Sequence, residues 1–405
     1  MSLNTTPSSE RIHIGFFGRT NAGKSSLINS IAKQQVSLVS EVKGTTTDPV
    51  KKTMELLPLG PVVLIDTPGL DDSSQLGELR EKRTYEILKQ IHTAVIVADA
   101  LEGMTETEIQ LEEQLKQAQI PYLIAYNKKD LLEETAGSGE TDERKDGDEN
   151  QNSPIYVSAL TGENIDLLKE KIANLKTTGE EKRLAADLLE LGDHVVLVIP
   201  IDKAAPKGRL ILPQQQTIRD VLDAGCTLSI CQVENIKETL ELLRKPPKLV
   251  ITDSQVFSVV KEIIPENIML TSFSILFARY KGDLESTVKG AFQIEELEDG
   301  DKILISEGCT HHKQCGDIGT EKLPKWILKY TGKKLTFEFT SGGNFPENLN
   351  EYKLIIHCGA CMLNEKQMQA RMKQAKESKI PMTNYGITIA YLNGILKRSI
   401  EPFGI

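Results

Sequence analysis

Short apolar runs separated by amphipathic stretches set the rhythm of this chain. Residues 11–17, RIHIGFF, form an apolar run that enters a glycine loop, and the helical pattern KSSLINSIAK follows. VVLID at 62–66, AVIVAD at 94–99 and PYLIAY at 121–126 repeat the apolar run, with helical patterns at 78–90 and 105–118 between them. Runs of this length, bounded by turn residues, predict strands buried on both faces. Their alternation with helices predicts a mostly parallel sheet covered on both sides. The pattern resumes at PIYVSAL and closes with a helix over 163–176.

Two polar stretches punctuate the rhythm. Residues 133–153, EETAGSGETDERKDGDENQNS, are almost free of apolar side chains and predict a disordered surface insertion. KTTGEEKR reads as a linker that ends the first unit near residue 183. A second αβ rhythm follows: HVVLVIPI at 194–201, CTLSICQV, KLVIT at 248–252, and helices at 214–224, 235–244 and 254–264. A third begins with NIMLTS at 267 and includes strands at 302–306, 335–339 and 353–357. The expected division is a flexible tail at 1–10, one domain at 11–178, a second at 184–265 and a third at 266–405.

Composition narrows the function classes. The chain has 405 residues, 39% hydrophobic and 26% charged, as soluble multidomain proteins do. Its net charge of −10 argues against nucleic acid as a main partner, because phosphate contacts need clustered Lys and Arg. No apolar run is long enough to span a membrane, and MSLNTTPSSER has no signal-peptide core, so a cytoplasmic location is expected. Six cysteines are present, and in that compartment thiols stay reduced. Cys226 and Cys231 lie in a strand-like segment and read as small buried hydrophobes.

GRTNAGKS, Gly18 to Ser25, fits the phosphate-cradle pattern G-x-x-x-x-G-K-[ST] and lies between a strand and a helix, the context the pattern requires. Gly18 and Gly23 let the backbone amides of the loop, Asn21 and Ala22 included, curl towards phosphate. Lys24 brings charge to the β- and γ-phosphates, while Ser25, followed by Ser26, offers a hydroxyl to Mg²⁺ at a helix N-terminus. DTPG, Asp66 to Gly69, adds a second carboxylate for the Mg²⁺ shell and an amide for the γ-phosphate. NKKD, Asn127 and Lys128 to Asp130, places a carboxylate where guanine offers two N–H donors and adenine does not. Ser158 and Ala159 follow the next strand, where the Ala159 amide can meet the guanine carbonyl. The order and wording of these motifs resemble the small translation-factor-type GTPases over residues 11–176, which implies GTP as substrate and hydrolysis as the reaction. In GTTTDP, Thr46 is the candidate switch threonine on Mg²⁺, with Thr45 and Thr47 as rivals. The position after D-x-x-G, often a water-orienting Gln, is Leu70, and Asn21 resembles the asparagine of GTPases that recruit K⁺.

The last hundred residues hold the other four cysteines. Cys309 follows strand KILIS, and Cys358 and Cys361 follow strand KLIIH. If both strands share one parallel sheet, the thiols emerge at its carboxyl edge, where ligands gather. Cys361 also begins the helical pattern NEKQMQARMKQAKES, where the dipole favours a thiolate. Unligated thiols, a structural Zn²⁺ site and an iron–sulfur cluster all remain open on spacing alone.

The pattern Cys309-x-His311…His357-Cys358-x-x-Cys361, downstream of a K⁺-type GTPase and an αβ unit, resembles the HydF family, the [FeFe]-hydrogenase H-cluster maturation GTPases. The resemblance covers the chain apart from the tail and the 133–153 insertion. It implies a [4Fe–4S] cluster on Cys309, Cys358 and Cys361, with the fourth ligand open among His311, His312, His357, Cys315 and Asp317. It also implies a scaffold that receives a diiron precursor from radical-SAM maturases and hands it to apo-[FeFe]-hydrogenase, and a homodimer formed through the middle domain. The expected fold class is therefore α/β: a P-loop GTPase domain followed by two further αβ domains with mostly parallel sheets. The rival class is a ribosome- or tRNA-associated GTPase with a structural zinc domain.

Overall fold

A computed structural model describes residues 6–33, 40–42, 50–70, 84–135, 153–175, 182–201, 210–308 and 317–405. The chain divides into two compact units, 1–179 and 180–405.

The first unit is built on strands β1 (Ile12–Phe17), β2 (Ser40–Val42), β3 (Val50–Leu56), β4 (Gly60–Asp66), β5 (Thr93–Asp99), β6 (Tyr122–Asn127) and β7 (Ile155–Tyr156). They form one sheet in the order β2-β3-β4-β1-β5-β6-β7. β4, β1, β5, β6 and β7 run parallel, and β3 pairs antiparallel with β4. Strand periodicity sorts the core. Ile14, Phe16, Leu64, Val95 and Val97 face one way, onto the helices Lys24–Lys33 and Ile165–Asn174. Phe17, Val63, Ile65, Ala94 and Ile96 face the other, onto Leu111 and Leu115 of the helix Glu106–Gln117. Every one of these residues is buried, which explains why the strands read as continuous apolar runs. The expected tail is ordered from residue 6: Ser8–Glu10 is a 3₁₀ turn, and the Ser8 carbonyl accepts a 2.8 Å hydrogen bond from the His13 ring. Of the expected insertion, residues 133–135 end the helix Lys129–Thr135, and 136–152 lie outside the described residues.

The second unit holds two four-stranded sheets, both all parallel. The first contains β8 (His194–Val198), β9 (Thr227–Cys231), β10 (Leu249–Thr252) and β11 (Met269–Ser272), in the order β11-β10-β8-β9. The other contains β12 (Lys302–Ser306), β13 (Thr336–Thr340), β14 (Leu354–His357) and β15 (Met382–Asn384), in the order β13-β12-β14-β15. The expected boundary at residue 265 is corrected here. β11 was read as opening the third domain, but it pairs with β10 at Leu249↔Met269 and completes the second sheet. Both halves of the unit share one core, in which Val196, Val250 and Ile275 pack with Ile387, Ala390 and Leu396 from the helices that follow β15. Cys226 is buried in this unit's other core cluster, and Cys231 is half-buried against the shared one.

Candidate functional site

The phosphate loop lies between β1 and the helix Lys24–Lys33. A side chain on Gly23 would put a Cβ 2.2 Å from Asn127 Nδ2, and Gly23 sits at φ +88°, so only glycine fits. That close approach is functional. Asn127 Nδ2 donates to the Ala22 carbonyl at 3.0 Å, and its Oδ1 accepts from the Ala159 amide at 3.0 Å. One buried side chain therefore ties the phosphate loop to the base loop. Lys24 is buried and folds back onto the loop, donating to the Gly18 and Arg19 carbonyls at 2.9 and 2.7 Å. A phosphate oxygen is the natural replacement for those carbonyls.

Ser25 donates to Asp66 Oδ2 in a short hydrogen bond, and Asp66 Oδ1 is buried with no partner among the described residues. Burial pushes the Asp66 carboxyl up, against the pull of Ser25 and Lys24. A half-satisfied, desolvated carboxylate beside the loop serine fits a divalent cation. Ser26 is exposed on the same helix turn, and Gly69 packs against Thr20 of the loop. Asn21 is exposed in the left-handed region at φ 63°, and Leu70 packs against the apolar face that holds Phe17. Thr46 lies outside the described residues.

At the base side, Ser158 donates to Asp130 Oδ1 at 2.5 Å and accepts from the Thr161 amide at 3.1 Å, which fixes the carboxylate that would read guanine. Lys128, at φ 68°, pairs with Asp99 at 2.7 Å. Two residues were missed from sequence. Fully buried Glu108 accepts from the Arg19 amide at 3.3 Å and from its own helix cap, the Thr105 amide, at 2.9 Å. The Arg19 side chain adds a 2.7 Å ion pair to Glu102. The only signal available was T-x-x-E, a capping box, which does not reveal its second partner.

At the other candidate site, β12 and β14 pair side by side with Ser306 opposite His357, so their carboxyl ends meet. Cys358 Sγ accepts hydrogen bonds from the Gly308 amide at 3.1 Å and the Ala360 amide at 3.4 Å. Burial pushes the Cys358 thiol up to about 11, so without a metal it keeps its proton. Two amide donors converging on one sulfur suit a ligating thiolate. Gly308 is the last residue described before Cys309; Cys309, His311, His312 and Cys315 lie outside the described residues. No group of three or more His, Cys, Asp or Glu is arranged to hold a metal among the described residues.

Three expectations change. His357 is fully buried; its Nδ1 donates to the Cys358 carbonyl at 2.9 Å and its Nε2 accepts from Arg371 at 2.8 Å. Both roles are forced, because a carbonyl only accepts and a guanidinium only donates. Burial and the Arg371 charge push the ring down to about 3, and no lone pair is left for iron. Asp317 caps its own turn through Thr320 at 2.8 Å. Cys361 does not begin the following helix: Glu365–Glu377 is capped by Asn364, which accepts from the Gln367 amide at 2.9 Å. Cys361 therefore lies outside the first turn of that helix, away from the amides that end its dipole.

These two sites define a P-loop GTPase with two parallel αβ domains appended. Residues 13–128 match the family described as 50S ribosome-binding GTPase. Residues 184–282 match the hydrogen maturase F dimerization domain, and 285–402 match its tetramerization domain. The chain belongs to the hydrogen maturase F (HydF) family. It is 33% identical over 180 residues to the tRNA modification GTPase MnmE of Nitrosomonas europaea, a match covering 44% of this chain and 37% of that protein. It is 36% identical over 165 residues to MnmE of Legionella pneumophila, covering 40% and 34%. Among solved structures, the S. thermophilus FeoB G-domain is 21% identical with a TM-score of 0.30, covering 42% of this chain and 64% of that one. Era of Aquifex aeolicus is 19% identical with a TM-score of 0.31, covering 57% and 98%. No helix among the described residues is long and apolar enough to cross a membrane.

Proposed function

We propose that this GTPase is a scaffold and carrier in [FeFe]-hydrogenase maturation. In this reading it binds a [4Fe–4S] cluster, receives a diiron precursor from radical-SAM maturases and passes it to apo-[FeFe]-hydrogenase as a cytoplasmic homodimer. The observation that carries the reading is the pair of amide bonds on Cys358 where β12 and β14 end together. Cys309, next in sequence after Gly308, would join Cys358 and Cys361 as the thiolate ligands. Three thiolates leave one iron with an exchangeable position, and that open position is what a carrier needs. Locked between Arg371 and the Cys358 carbonyl, His357 would orient the loop rather than ligate.

At the other end, Lys24 and the loop amides would hold the β- and γ-phosphates, and Asp130, steadied by Ser158, would select guanine. Ser25 and Thr46, with Asp66 behind them, would hold Mg²⁺, and Asn21 would hold K⁺. Mg²⁺ and K⁺ supply charge against the developing negative charge on the phosphates. Anaerobic reconstitution with iron and sulfide, followed by a visible spectrum and activation of apo-hydrogenase, tests the reading. The expected outcome is a brown protein that activates; a colourless protein that holds zinc and activates nothing overturns it.

A further inference from the structure

Lys281 ends the helix Phe273–Lys281 and is almost fully buried, with 2% of its surface exposed. Its Nζ donates to the Leu363 carbonyl at 2.9 Å and to the Ala360 carbonyl at 3.3 Å. Ala360 is held in the left-handed region, at φ 53°, a costly conformation for a residue with a Cβ. It is also Ala360 whose amide donates to Cys358 Sγ at 3.4 Å. The lysine thus holds the carbonyl of the same residue whose amide N–H points at the sulfur. Lys281 and Cys358 line the same narrow recess, whose other walls include Met368, Met372 and Met382. The three thioethers make part of that wall apolar, beside the polar side chains of Thr287, Thr383 and Asn384. Glu307, a buried carboxylate whose charge acts on Cys358, accepts from the Tyr385 hydroxyl at 3.1 Å.

We propose that Lys281 is the positioning residue of the C-x-x-C turn and the fixed positive charge that sets how readily the site accepts an electron. This rests on the reading of Cys309, Cys358 and Cys361 as cluster ligands. Two consequences follow from one side chain. Its hydrogen bonds hold residues 360–363 so that Cys358 keeps its amide donor. Its charge favours the more negative, reduced form of whatever the thiolates hold, because a positive charge nearby stabilises added electron density.

The test uses the full-length protein reconstituted anaerobically, with Lys281→Met, which keeps length and apolar contact but removes charge and donors, and Lys281→Arg, which keeps the charge. Three readouts are taken: iron retained against a chelator, the reduction potential by titration followed with electron paramagnetic resonance, and GTP turnover. We expect Lys281→Met to lose iron about 10- to 100-fold more readily, the range seen when residues supporting a metal ligand are changed. Its remaining cluster should have a lower potential than wild type. Lys281→Arg should return the potential towards wild type, and GTP turnover should be unchanged in both. A Lys281→Met protein with wild-type iron retention and potential overturns the proposal. Iron loss with an unchanged potential overturns the electrostatic half and leaves a purely structural lysine. Failure of the wild-type protein to bind iron would instead refute the cluster reading on which this one rests.

Discussion

Asp130 and Ser158 are the proposed base-reading pair. Asp130 accepts the Ser158 hydroxyl at 2.5 Å, which presets the carboxylate before nucleotide arrives. Replacing Asp130 by Asn removes an acceptor pair for guanine and offers a donor instead. Hydrogen bonds to a charged group contribute about 1.5–3 kcal/mol each, so GTP affinity should fall by roughly two orders of magnitude or more in a calorimetric titration. Unchanged affinity would remove the base-site assignment. Asn21 and Leu70 carry a second expectation: turnover faster in K⁺ than in Na⁺, with the difference erased by Asn21→Ala. Equal turnover of the wild-type protein in the two salts would refute it. His13 supplies a pH dependence. Burial, partly offset by its bond to the Ser8 carbonyl, pushes the ring from 6.5 down to about 4. The folded state therefore stays neutral while the unfolded chain takes a proton, so stability is full above pH ~6.5 and falls as pH drops towards ~4, by about 1.4 kcal/mol per unit. Calorimetric unfolding of the first unit at pH 7 and pH 5 should show the loss, and His13→Asn should flatten it.

At the scale of elements, the segment from the end of β5 to the helix Glu106–Gln117 braces both sides of the nucleotide site. Asp99 holds Lys128 at the base side; Glu102 and Glu108 hold Arg19 at the phosphate side. Glu108→Ala leaves the Arg19 amide and the Thr105 cap without an acceptor and should destabilise the unit by about 3 kcal/mol, with weaker nucleotide binding. A wild-type melting temperature and GTP affinity would refute the brace. This brace was invisible in the sequence, because a capping box has only local spacing and its link to Arg19 spans 89 positions. The four GTPase motifs were legible because each is a short string at the end of an apolar strand. A shared parallel sheet for β12 and β14 stands in the sequence only as a condition, and the two strands do pair. Where the sequence misled, tertiary choice decided. MLTS at 269–272 has no mark that says which sheet it joins, and it joined the earlier one. The NEKQ stretch hid an Asn cap that excludes Cys361 from the helix. His357 stays open as one candidate fourth ligand in the sequence because its partner, Arg371, lies on a later helix. β9 makes a further prediction. It is an edge strand with Ile230 47% exposed, in the domain matched to dimerization, and unpaired edges seek a partner. Ile230→Lys should shift the protein to smaller species in light scattering; an unchanged mass would place the dimer contact elsewhere.

On the scale of the whole molecule, the nucleotide-loop residues and the C-terminal cysteines occupy different compact units, with Lys24 and Asp130 in 1–179 and Cys358 and Cys361 in 180–405. The central claim is that the first unit hydrolyses GTP while the second carries iron on three cysteines. Separate machinery implies separable loss. Iron and acid-labile sulfide per chain, measured after anaerobic reconstitution of wild type and of the single Cys309→Ser, Cys358→Ser and Cys361→Ser proteins, with GTP turnover on the same samples, tests this most directly. The account predicts about four irons and four sulfides per wild-type chain, as one [4Fe–4S] cluster requires. Each variant should lose most of the iron and keep its GTP turnover. Full iron content in Cys309→Ser or Cys358→Ser, or a wild-type protein that takes up zinc and no iron, would contradict it.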